Sequence, residues 1–264
     1  IRRDMPGQKS AHMPKLKITP EHFAQLYASF DAPVSKFDCG RKCAPLNGGQ
    51  PVCCTTSNAI PVVDKAEYKL LRSRTDLWGP YTPNDAPSRK IVSELSNNCK
   101  AIECKGAAYC ERGNRTIACR TFPFFPYITT RGDFTGFSYY HDFEDRCWVI
   151  SNLGIVEREF LHQMTAAMLS QFAIDPDEYD VMKSHSATMR RVFSRRQQIF
   201  PLLGRPDLGG GLFKVMPYSG EVRPAKLSEF KPTGAYKSEA VYKRAVKAAG
   251  GALGPAPKGG YLAP

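Results

Sequence analysis

The sequence predicts an α+β protein: a small, irregular, cysteine-rich module with short strands, packed with several helices and flanked by extended basic arms at both ends. Three observations predict it. All nine cysteines fall between Cys39 and Cys147, in a stretch interrupted by Gly, Pro and polar residues. Sustained helical periodicity comes after them, over residues 151–200. Both ends combine Lys and Arg with Gly and Pro and lack a continuous apolar pattern. The expected divisions are an arm over 1–18, the cysteine module over 19–150, a helical hairpin packed on it over 151–200, and a Gly/Pro-rich basic tail over 201–264.

In chain order, Thr19-Pro20-Glu21 opens a short helix. Thr19 suits the cap, Pro20 the first helical position and Glu21 the positive end of the dipole. Phe23, Leu26, Tyr27 and Phe30 share one face of it. Residues 37–56 read as loop and carry the first four cysteines. A helix is predicted over 63–74 with Asp64 near its start, then a Pro-rich excursion over 79–87 and an irregular stretch with short strands over 91–118. Pro123 and Pro126 remove ladder donors, so a strand over 122–128 belongs at a sheet edge. Residues 134–140 and 147–150 are strand candidates. Helices are predicted over 151–172 and from Asp175-Pro176-Asp177-Glu178 to about residue 198. Beyond Pro201, the glycines at 209–211 and 250–251 read as hinges, with one short basic helix over 238–249. A tail so poor in core residues is expected to be disordered or to lie on a protein partner.

The net charge is +12 and the pI about 9.3. That balance favours anionic partners: nucleic acid, anionic lipid or an acidic protein face. Residues 181–206 hold six Lys or Arg and no acid. A solvated helix face explains this run, and so does contact with an acidic partner. No run of about 18 apolar residues exists to span a membrane. Residues 1–10 are basic without an apolar stretch, unlike a secretory signal. The expected compartment is the cytoplasm, or an organellar matrix if a transit peptide was removed upstream.

Nine cysteines admit three explanations. A disulfide framework requires an oxidising compartment, and the count is odd. Buried inert thiols account for one or two, but Asp38-Cys39-Gly40-Arg41-Lys42-Cys43 is too polar for a core segment. Metal ligation suits soft thiolates, and ligands close in sequence converge at small entropic cost. No Cys-x-x-Cys spacing occurs, so spacing leaves the metal open. No HExxH pattern is present. His141 lies six residues before Cys147 and is a further candidate ligand. With so many thiols in one region, no single cysteine stands out as a nucleophile.

The ordered set resembles the YkgJ-type cysteine-cluster family, a zinc- or iron-chelating domain. Phe37-Asp38-Cys39, Cys43 and the vicinal pair Cys53-Cys54 resemble its opening. The acidic helical stretch Asp64-Lys65-Ala66-Glu67-Tyr68 follows, then Cys104 and Cys110, with Cys99 a rival for the first of these. Cys119-Arg120-Thr121-Phe122-Pro123-Phe124 is similar to the family's Cys-Arg-x-aromatic-Pro-aromatic signature, and Cys147 to its last cysteine. The likeness covers roughly residues 37–150. The chain departs from the pattern in the long Cys43–Cys53 gap, the short Cys104–Cys110 gap and the absence of an Arg-Pro before Cys119.

The resemblance implies a metal site built from Cys39, Cys43, Cys53, Cys54, Cys104, Cys110, Cys119 and Cys147. Its cofactor would be an iron–sulfur cluster, of the 4Fe–4S kind, or alternatively zinc. Phe122, Phe124, Phe125 and Tyr127 are expected to pack around it and exclude water. The expected function is metal-cluster binding within, or accessory to, a larger assembly held through the basic tail. Flagellin lysine N-methylases carry a related module, so a redox or protein-modifying enzyme is one alternative. A nucleic-acid-contacting structural subunit with a metal staple is the other.

Overall fold

The computed structural model describes residues 17–253. The first helix, α1 (Pro20–Ser29), turns Phe23, Leu26 and Tyr27 inward as its periodicity predicts. A single turn, α2 (Gly40–Cys43), follows Cys39 directly. β1 (Val62–Asp64) runs into α3 (Lys65–Arg74), and the Ala66 amide donates to Asp64 Oδ1 at 2.6 Å to cap that helix. Then come β2 (Trp78–Pro80), α4 (Ala86–Ser93), β3 (Cys99–Cys104) and α5 (Ile117–Thr121). β3 is the centre of a three-stranded antiparallel sheet in the order β1-β3-β2. Helix α4 begins at the end of the stretch expected to be a Pro-rich excursion and runs into the one expected to be irregular. Pro87 serves in its first turn, where no donor is needed, and Asp85 and Ser88 form a reciprocal capping box.

A second antiparallel sheet holds β4 (Phe124–Ile128), β5 (Phe134–Tyr139), β6 (Phe200–Gly204), β7 (Leu212–Val215) and β8 (Val222–Pro224) in sequential order. β4 stands at its edge, as Pro126 within it and Pro123 just before it require. Between β5 and β6 run α6 (Arg158–Ile174) and α7 (Pro176–Arg195). The Glu178 amide donates to Asp175 at 3.3 Å, capping α7 at the predicted place. α7 lies along the free edge of β4. The Ile128 amide donates to Ser186 Oγ at 3.0 Å, and Arg190 donates to the Ile128 carbonyl at 2.8 Å. Edge groups that would otherwise template another chain are thereby satisfied. The β5–β6 crossing is tight: a Cβ on Gly136 would meet the Leu203 carbonyl oxygen at 2.2 Å.

Two expectations are corrected. Residues 147–150 do not form a strand. The Cys147 amide bonds back to the Phe143 carbonyl at 2.8 Å, and a short helical turn, Ile150–Ile155, continues from there. A four-residue apolar run fits either a strand or a buried turn, and here tertiary packing decides. The second correction concerns the tail. Through residue 253 it lies on its own chain. It supplies three of the five strands of the larger sheet, and α8 (Glu239–Ala248) buries Tyr242 and Val246 in the core. The divisions expected at 150 and 200 therefore fall inside one packed unit. The predicted arm lies, except for residues 17 and 18, outside the described residues, as does the chain end beyond 253.

Candidate metal centre

Four segments bring sulfur together. Cys39 and Cys43 bracket α2, and Cys53 and Cys54 sit on a short helical turn, Val52–Cys54. These two segments touch: a Cβ on Gly40 would stand 2.9 Å from Pro51. The Val52 amide donates to Cys43 Sγ at 3.5 Å. Cys119 is placed by α5, where its amide donates to the capping Thr116 hydroxyl at 3.0 Å. Cys147 arrives on the turn after β5 and is buried.

Cys39, Cys43, Cys53, Cys119 and Cys147 line one cavity of about 80 Å³. Val34, Val52, Phe122, Pro123 and Trp148 supply its apolar wall, and Arg115 and Arg120 its cations. Cys54, Cys104 and Cys110 stand outside that lining. Cys54 reaches back to Cys53 with a sulfur separation of 3.9 Å. Cys104 and Cys110 lie close enough to Cys54 to feel its charge. Cys99 is elsewhere, at the far end of β3 opposite Asp64, among Ser96, Asp175 and Glu178. Of the two rivals, Cys104 is the one near the other sulfurs. All nine thiols are free, with no disulfide among them. Among the described residues, no group of three or more His, Cys, Asp or Glu side chains stands close enough to hold a metal ion.

The electrostatics follow from burial. Desolvation, then the neighbouring Cys43 and Asp38, push the Cys39 thiol up to about 12. Burial likewise raises Cys119 to about 12 and drives Cys147 upward, with Cys39 and Cys43 adding to the latter. In the vicinal pair, the shared hydrogen bond raises Cys53 and lowers Cys54, with Arg115 aiding the second effect. Burial thus favours the protonated form of most of these thiols. A metal cation bound among them would draw the protons off.

The side chains around the cavity are anchored. Arg120 donates to the carbonyls of Arg115 at 3.0 Å, Gly113 at 2.7 Å and Phe30. Its guanidinium stacks over Tyr27, 4.6 Å from the ring centre. Tyr27 in turn donates to Glu67 at 2.6 Å, and the Ile117 amide donates to the same carboxylate at 2.7 Å. The signature arginine therefore ties α1, α3 and the Cys119 helix together. From outside, Tyr242 donates to the Lys42 carbonyl at 3.0 Å and Tyr236 to the Arg146 carbonyl at 3.1 Å. Of the aromatics expected around the centre, Phe122 lines it. Phe124, Phe125 and Tyr127 enter the larger sheet's core instead. His141 faces Glu144 at 3.2 Å and the Phe193 ring.

Trp148, Arg115, Tyr236 and Tyr242 were not singled out from the sequence. Trp148 and Arg115 each carried a signal, the first by adjoining Cys147 and the second by standing four residues before Cys119. A larger cleft of about 360 Å³ lies between β5, β6 and the strap over 227–233, and no cysteine lines it.

No protein-family model matches the chain, and no curated protein or solved structure matches it significantly.

Proposed function

We propose that this protein binds a metal centre through cysteine thiolates, as an iron–sulfur cluster or, alternatively, as zinc. One observation carries the reading: five free cysteines from four separate segments line a single small cavity with an apolar wall. Soft sulfur donors in that number suit thiolate-bound iron or zinc. The resemblance of residues 37–150 to the YkgJ-type family supports it further. Cys39, Cys43, Cys53, Cys119 and Cys147 would bind first, and Cys54, Cys104 and Cys110 would complete the ligand set from outside the cavity. Phe122, Pro123 and Trp148 keep water from the sulfurs, and Arg115 offsets thiolate charge. The fit is in donor chemistry and placement. The sulfurs are not yet gathered into a closed ligand group.

Metal analysis and an absorption spectrum of anaerobically purified protein test the proposal. Stoichiometric iron with a broad visible band, or stoichiometric zinc without colour, is the expected result. Ligation of this kind contributes about 10 kcal/mol or more to folding in small metal domains. Chelation should therefore expose amides over 39–54 and 99–123 to hydrogen exchange. A metal-free protein with unchanged protection in those segments would refute the reading.

A further inference from the structure

A second surface is built for a different ligand. The hairpin turn between β7 and β8 holds Tyr218 at φ 64°, a left-handed conformation that a tyrosine rarely adopts. Its ring is 74% exposed, so packing does not hold it there. The turn is instead pinned to α7: the Tyr218 amide donates to Ser194 Oγ at 2.7 Å. Gly220 in the same turn sits on Arg190. Arg191, Ser194 and Arg195 are spaced i, i+3 and i+4, so the two guanidiniums flank the residue that anchors the ring.

The cationic track extends both ways. Arg195 and Arg196 are exposed and form no ion pair among the described residues, and Arg191 donates only to the Thr188 hydroxyl. Lys183, further up α7, lies beside the β4–β5 turn at Gly132, and exposed Arg131 belongs to that turn. Thr130 of the same turn neighbours Gly220, which makes the two turns adjacent. The nearby acids are Glu221, Asp133 and, three residues before Lys183 on α7, exposed Asp180. Glu221 is taken by Arg223 at 2.7 Å, and Asp133 accepts from Thr129 within its own turn.

The dipole of α7 accounts for part of this charge, since its C-terminal end carries roughly half a negative charge. It does not account for Lys183 and Arg131, which lie away from that end, nor for an exposed ring in a strained backbone. An acidic protein is answered by the cations alone and has no need of a ring in a strained turn. A single-stranded nucleic acid uses both, phosphates along the track and an unstacked base on the tyrosine. We infer that the α7 face and the Tyr218 turn bind single-stranded nucleic acid. This surface lies outside the sulfur cavity, so the inference stands apart from the metal proposal.

Fluorescence anisotropy of the full-length protein as purified with a labelled oligouridine, and with a duplex of equal length, tests it. Single strands should bind in preference to the duplex. Tyr218→Ala should weaken binding roughly tenfold and Tyr218→Phe leave it intact, as for loss of one stacked base. Arg191→Glu with Arg195→Glu should weaken it about tenfold or more and flatten its salt dependence. Metal content and circular dichroism, read in the same samples, should be unchanged. Absence of binding at low salt, equal affinity for the duplex, or full affinity in Tyr218→Ala would overturn the inference.

Discussion

The five-stranded sheet and the sulfur cavity stand on different physics. The five-stranded sheet is held by an ordinary aromatic core: Phe124, Phe137, Phe160, Phe193 and Phe200 are each at most 1% exposed and meet edge to face or tilted. Its edge on β4 is closed by Ser186 and Arg190 of α7. Around the sulfur cavity, by contrast, regular structure shrinks to single helical turns. Beside apolar Val52 and Trp148, what is buried there includes thiol, guanidinium and carboxylate: Cys43, Cys147, Arg120 and Glu67. Burial of apolar area stabilises the first region by itself. The second has polar groups whose desolvation must be offset by specific bonds. The difference teaches that the sheet is held by apolar area, whereas the turns around the cavity also depend on specific bonds made by Arg120, Tyr27 and Glu67.

Truncation after Gly204 breaks this division most severely. It deletes β7, β8 and α8, and with them the buried Leu212, Val215, Tyr236, Tyr242 and Val246. Both regions lose their cover, because Tyr242 caps Lys42 beside Cys43 while β7 pairs with β6. The truncated chain should show no cooperative thermal transition by circular dichroism. A retained transition would mean that the tail is a dispensable arm, as its composition suggests.

That tail shows where the sequence was readable and where it was not. Helix α7 was legible because Asp175-Pro176-Asp177-Glu178 marks its start. The β6–β7 hairpin was missed because glycines 209–211 read as a hinge. Yet Phe200, Leu202 and Leu203 before them and Leu212 and Val215 after them are two short apolar runs about a Gly turn, a hairpin signal. At the site, the candidate sulfurs and the signature arginine were visible as residue types. Which sulfurs share a cavity was not, since that depends on how the 39–54 loops fold over α5 and on aromatic cover from distant turns. Local patterns do not encode such long-range closure.

Glu67 sharpens the comparison at intermediate scale. Glu67→Ala leaves the Tyr27 hydroxyl and the Ile117 amide without their buried acceptor and should cost about 2–4 kcal/mol, read by chemical denaturation. Its titration has a defined sign. Burial lifts the carboxyl from its ordinary 4.5 to about 7, against the hydrogen bonds from Tyr27 and Ile117. Between those values the folded protein keeps a proton that the unfolded chain has released. The resulting stabilisation is complete below about pH 4.5 and is lost as pH rises through about 7. Glu67→Gln keeps an acceptor and removes the titration, so its stability relative to wild type should rise across that window. A wild-type profile parallel to that of Glu67→Gln from about pH 5 to pH 8 would show that Glu67 stays ionised throughout.

The smallest expected effect separates sulfur that serves the cavity from sulfur that only occupies space. Cys99 ends β3 opposite Asp64, half-buried and remote from the other thiols. Cys119 faces the cavity with its thiol buried and its amide fixed by Thr116. Replacing one sulfur atom by oxygen changes volume little in either case. Cys99→Ser should therefore shift stability by no more than about 0.5 kcal/mol, as for substitutions away from special features. Its bound metal, measured by elemental analysis, should equal that of wild type. Cys119→Ser should lower the bound metal and loosen the 39–54 loops, because a hydroxyl is a poor donor to zinc or iron beside thiolates. Equal metal loss from both variants would place Cys99 in the ligand set and make β3, rather than the cavity, the organising element of the site.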